Sequence, residues 1–165
     1  MARLFKIWNG AAPTTAALVP VTTGTAIKTM LQIATPASID LIVTAWGISF
    51  DGSAAATPIR VELIETDVAA TVTAHVAAGI MKMNNPNDIA SQVTLGASAT
   101  GYTASAEGTT TASRVFDCQF IAPTNQYVLQ FPLGREPKVA ASKFLRVRVT
   151  AAAAVNCYCW VEYEE

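Results

Sequence analysis

Charge is what this chain has least of. Lysine and arginine number 11 and aspartate and glutamate 12 among 165 residues, so charged side chains make up 14%, against roughly 25% in an ordinary globular protein. The signs nearly cancel, at a formal net charge of -1. That balance excludes the basic footprint by which a protein holds nucleic acid or an anionic membrane surface. The nearest thing to a basic stripe is Lys143, Arg146 and Arg148, whose two arginines share one strand face, the pattern of a solvated or interface-paired surface. Histidine occurs once, at His75, and cysteine three times, at Cys118, Cys157 and Cys159. An odd cysteine count without a secretory leader argues against a disulfide framework. Cys157 and Cys159 project to the same strand face, where bridging is geometrically poor, and all three thiols are expected as buried small hydrophobes. With one distant histidine they lack the paired spacing of a zinc site.

Long apolar runs are missing too. None approaches the roughly 20 residues of a membrane-spanning helix, and MARLFKIWNG has neither the apolar core nor the small-residue cleavage site of a secretory signal. The expectation is a soluble chain, made in the cytoplasm, with no membrane partner. No G-x-x-x-x-G-K or G-x-G-x-x-G follows a strand, which excludes the usual phosphate-binding loops. No motif ties a serine or cysteine nucleophile to His75. The carboxylates, from Asp40 and Asp51 to Glu162, Glu164 and Glu165, show no glycosidase pairing by sequence, and the last three read as a solvated strand end. No catalytic residue, cofactor or metal ligand is assigned, and the chain is expected not to be an enzyme.

What the chain does have is period-two alternation. A length of 165 residues suits one domain burying roughly 70% of its unfolded surface. Hydrophobic residues make up 52% of it, much of that alanine, which leaves a surface of Thr, Ser, Ala and Gly with little resistance to association. From Ile39 to Phe50 the residues Ile42, Thr44, Trp46, Ile48 and Phe50 share one side of a pleat and Leu41, Val43, Ala45 and Gly47 the other. Asp51-Gly52 supplies a turn and Pro58 opens a second strand, with Ile59, Val61 and Leu63 inward. The stretch from Ile39 to Thr66 therefore reads as a hairpin, and Lys143 to Tyr163 as a second hairpin that partners it. Its two-sided apolarity requires cover from a second sheet or from a neighbouring subunit.

Shorter strands are expected at Ala26 to Ala34, Val68 to Ala78, Arg114 to Ile121 and Tyr127 to Phe131. In the second of these His75 falls on the polar side, exposed or at an interface. Leu4, Phe5, Ile7 and Trp8 form an extended N-terminal arm or a sheet strand, and they are the candidate contacts to a neighbour. The division is residues 1–24 as arm and connection and 25–165 as domain. Residues 91–113, rich in Ser, Thr, Ala and Gly, read as an ordered excursion carrying short strands. Regular short strands with almost no helical periodicity indicate an all-β, single-domain β-sandwich of jelly-roll type. An immunoglobulin-like sandwich would need cysteine and tryptophan spacing that is absent. A sugar-binding sandwich would use exposed aromatics, with Trp46, Tyr102, Tyr158 and Trp160 as candidates and Trp46 expected between the sheets.

Four segments carry a resemblance: TAIKTMLQIATP, TAWGISFDGSAAATPIRVELIET, GASATGYTASAEGT and FPLGREPKVAASKFLRVRVTAAAAVN. Over most residues from Thr25 onward the chain resembles small virion structural proteins of tailed bacteriophages of actinobacteria and their prophages, of the capsid decoration or minor capsid type. The resemblance implies a β-rich, non-enzymatic subunit on the capsid surface. Its partners would be the major capsid protein and copies of itself, expected as a trimer, with Leu4, Phe5, Ile7 and Trp8 as the contacts to the capsid shell or a neighbouring subunit. A tail or head-fibre component is the alternative within the virion.

Overall fold

In a computed structural model that describes residues 3–12, 16–53 and 56–165, the alternating segments become strands. They are β1 (Leu4–Trp8), β2 (Val21–Thr22), β3 (Ile27–Ala34), β4 (Leu41–Phe50), β5 (Ile59–Thr66), β6 (Thr71–Ala74), β7 (Ile80–Lys82), β8 (Gly101–Ala106), β9 (Ser113–Ile121), β10 (Gln126–Gln130), β11 (Lys138–Val139), β12 (Phe144–Thr150) and β13 (Asn156–Glu164). One turn of 3-10 helix, Ala77–Gly79, precedes β7. The first sheet has seven strands, in the order β10-β4-β13-β1-β7, with β11 beside β4 and β2 beside β13. The second has six, in the order β6-β8-β3-β12-β5-β9. The result is an all-β, two-sheet single domain.

The two expected hairpins are not hairpins. β4 lies in the first sheet and β5 in the second, and likewise β13 and β12, so each pair is an arch crossing from one layer to the other. The expected partnership does form, but strand by strand: β4 pairs antiparallel with β13, and β5 with β12. The β9–β10 connection crosses in the same way, with β9 on β5 and β10 on β4. The three arches bond to one another at one end of the sandwich, through Gly52 N–H to Pro123 O at 2.8 Å and Asp51 N–H to Asn156 O at 3.3 Å. The two halves of the Ile39–Thr66 stretch supply opposite walls of one core.

Between the sheets, Phe5, Ile7, Trp46, Ile48, Cys159, Val161 and Tyr163 meet Leu31, Ile33, Val61, Leu63, Leu145 and Val147, all buried. Trp46 thus sits between the layers as expected, and Ile48 with it. Their burial within a single chain removes any need for a neighbouring subunit to cover that face. Leu4–Trp8 is a strand flanked by β13 and β7. Phe5 and Ile7 lie in the core, so Leu4–Trp8 is part of the sheet and not a free arm.

Bulges account for the misread faces. A register shift opposite Glu162/Tyr163 skips Thr44, so Leu41 and Val43 point inward before it and Trp46, Ile48 and Phe50 after it. In β3 the shift skips Met30, and Ile27 is exposed where the alternation placed it inward. After β6 ends at Ala74 the chain leaves the ladder, and His75 is buried while Ala74 and Val76 are exposed.

Candidate functional site

Three surfaces of the sandwich differ in what they offer. The first is the outer face of the first sheet. Residues directly opposite across an antiparallel ladder share a face, so the registers place Met81, Lys6, Glu162, Ala45 and Gln130 in one row and Trp8, Trp160, Gly47 and Val128 in the next. Tyr158, Ser49 and Gln126 make a third row. Trp160 lies flat on Gly47: a Cβ there would stand 2.7 Å from the indole. The Lys6 ammonium sits 3.7 Å from the centre of the Trp160 ring and donates to Glu162 at 2.7 Å. Tyr158 donates its hydroxyl hydrogen to Leu18 O. A shallow hollow of about 280 Å³ adjoins this grid, lined by Thr44, Phe131, Leu133, Glu136, Glu162 and Glu164 among others.

The outer face of the second sheet is covered by the chain itself. Arg146 and Arg148 do share that face, but Arg146 is 0% exposed. Its guanidinium donates to Glu107 O at 3.0 Å and to Val68 O, with the Glu107 carboxylate at 3.4 Å. Burial lowers its pKa against the raising effect of Glu107. Beside it the buried Gln32 donates to Ala70 O and Ala99 O and accepts from Ala70 N–H at 2.8 Å. These polar anchors hold the 66–70 and 96–112 segments over β3, β12 and β5. Asp67 fastens the same cover. It accepts from the Thr111 hydroxyl and from Ala112 N–H at 3.0 Å, which pull its carboxyl down to about 2. Residues 91–113 are therefore an ordered excursion with β8 inside it, and the solvated or interface-paired reading of the arginines is corrected for Arg146. Arg148 remains partly open and grips Glu62 through Nε at 2.8 Å.

The third surface is the long side where β9 and β10 are the edges of their sheets. Phe120 is 73% exposed, Val115 and Val128 56% each, and Leu133, in the loop after β10, 97%. Behind the two edges Tyr127 donates to Asp117 at 2.9 Å and Gln119 to the same carboxylate at 3.0 Å, a polar link from one layer to the other. Burial, with help from Asp117, pushes the Tyr127 phenol up to about 12.

The remaining candidates fall as follows. Of the N-terminal contacts, Phe5 and Ile7 are in the core, while Leu4 and Trp8 face outward on β1. His75 is 4% exposed rather than on a polar face; its Nε2 lies 2.7 Å from Trp8 O and its ring packs edge-on against Tyr102. Burial holds its pKa down. Cys157 and Cys159 are buried free thiols, and burial raises Cys159 well up. Cys118 is exposed, against expectation, because β9 is an edge and its outer face has no cover. Tyr158 and Trp160 come together with Trp8, a convergence the sequence hid because β1 and β13 lie at opposite ends of the chain. Tyr102 is on the other sheet. Among the described residues no group of three or more His, Cys, Asp or Glu is placed to hold a metal ion. Compared with known proteins, the chain matches no family model, no curated protein and no solved structure.

Proposed function

We propose that this chain is a non-enzymatic structural subunit of a virion that decorates or reinforces a phage capsid, working with copies of itself and with the major capsid protein. One observation carries the assembly part: the edge strand β9 leaves Val115 and Phe120 in water on its outer face. Apolar groups exposed along an unpaired sheet edge mark a surface that another protein covers. The virion part rests on the resemblance of the segments from Thr25 onward. The trimer belongs to that resemblance, as does the location on the capsid surface. We read the sandwich as jelly-roll related, a reading supported by the antiparallel arches in which β4 and β5 run beside β13 and β12.

Co-sedimentation with purified phage capsid shells tests the proposal. The expected result is saturable binding, with labelled protein on the capsid of intact particles. Label confined to the tail or to fibres replaces the capsid assignment, and a chain that stays monomeric and ignores shells overturns the reading. A glycan-binding face is a second reading, favoured by the meeting of Trp8, Tyr158 and Trp160 on the first sheet. It ranks lower because Lys6 already occupies the Trp160 ring. Silence of the intact protein on a glycan array removes it.

A further inference from the structure

The edges of the second sheet are unequal. β6 offers only four residues, and the strand it pairs with, β8, bulges twice against it, at Thr103 and Ser105. β9 offers nine residues with one bulge, at Phe116, beyond which Asp117 to Ile121 run regularly, and among the described residues it pairs with β5 alone. Natural edges are usually guarded by free charge, lysine above all. β9 has two charged residues and both are engaged within the chain. Arg114 reaches Glu65 at 2.8 Å and Lys138 O, and Asp117 accepts from Tyr127 and Gln119. What faces outward along it is Val115, Cys118 and Phe120, all exposed.

We propose that β9 of a second copy of this chain pairs antiparallel with β9 about a two-fold axis at Cys118, joining two second sheets edge to edge. This rests on the assembly reading above and names its contact. The strand is self-complementary in that register. Asp117 of each copy stands opposite Gln119 of the other, so no carboxylate faces a carboxylate, whereas an axis at Asp117 would oppose two like charges. Cys118 meets Cys118, and the exposed Phe120 of each copy stands two residues from the axis on the same face as Cys118. The contact is isologous, using one patch twice. A three-fold assembly would instead need two different patches, and β6 is a poor match in length for β9.

Cys118 makes the test possible in the unmodified chain, since Cys157 and Cys159 are buried. The purified protein is treated with a short bis-maleimide while its mass is followed by sedimentation. The expected result is a dimer, linked in high yield through Cys118, with linking but not dimerisation lost in Cys118→Ser. Phe120→Lys, at a site already open to water, folds normally and weakens association by about tenfold or more, because it sets two ammonium groups beside the joint. A trimer, a dimer whose Cys118 thiols do not link, or an unchanged mass for Phe120→Lys overturns the β9 pairing and leaves the assembly reading intact. A strictly monomeric chain that still binds shells also overturns the pairing and keeps the capsid reading. A monomer that ignores shells overturns both.

Discussion

At the scale of single residues, two buried polar side chains carry testable consequences. His75 is buried, and among the described residues its Nδ1 finds no hydrogen-bond partner, so the fold accommodates the neutral ring and disfavours the imidazolium. Its folded pKa lies below the ordinary 6.5. The unfolded chain therefore binds the proton first, and stability is full above pH 6.5 and is lost as the pH falls toward the folded value. The urea midpoint is expected to fall between about pH 7.5 and 5 in the unaltered protein. In His75→Gln, which keeps a donor for Trp8 O, the midpoint stays flatter over that range. Arg146 makes the complementary case. Arg146→Met removes the donors of Val68 O and Glu107 O and leaves Glu107 without its cation, at an expected cost of about 3 kcal/mol in chemical denaturation. Hydrogen exchange should quicken selectively in 67–70 and 107–112. Arg148→Met costs less, because Glu62 keeps Arg60 and the site is partly hydrated.

At the scale of elements, the arches matter more than the strands. A hairpin closes its own ladder, whereas an arch sends its two strands to different partners, so each of these pairs depends on strands from elsewhere in the chain. The β9–β10 arch is the outermost, and the Tyr127–Asp117 bond ties its two edges. Burial and Asp117 favour the protonated phenol, so the stability from this bond is present below pH 10 and is lost as the pH rises toward about 12. Circular dichroism over that alkaline range should show the loss in the unaltered protein and much less of it in Tyr127→Phe. That variant is expected to be about 1 kcal/mol less stable at neutral pH, since Asp117 keeps only Gln119 as a side-chain donor. Element boundaries were legible from turn residues such as Asp51-Gly52, Pro58 and Pro123. Facing was not, where a bulge reversed the parity that alternation assumes, as at Thr44 and Met30, or where the chain left the ladder, as after Ala74.

At the scale of the whole molecule, the first strand lies against the last. Phe5 pairs with Tyr163 and packs on its ring at 5.7 Å, so the N-terminal segment is core. Phe5→Ala is expected to lower the unfolding free energy by about 3–5 kcal/mol in a guanidinium melt, a large part of the roughly 5–15 kcal/mol typical of a domain. A free arm would lose almost nothing. The same closure makes Trp8 a neighbour of Trp160 and builds the aromatic grid of the first sheet. The long β9–β10 side belongs to this scale too, since the three arches stack and the outermost one is left without a further partner among the described residues.

By itself the sequence determined the class of the fold: alternating apolar residues with β-branched and aromatic enrichment, interrupted by Gly, Pro, Asn and Asp, leave two packed sheets as the stable outcome. It also determined the poverty of charge that makes the surface permissive. Only the tertiary structure decided which sheet each strand joins, because side-chain period specifies a face and not a partner. It alone decided that Arg146 is buried and Cys118 exposed, for both stand at outward positions of their strands and differ only in whether another stretch of the chain passes over them.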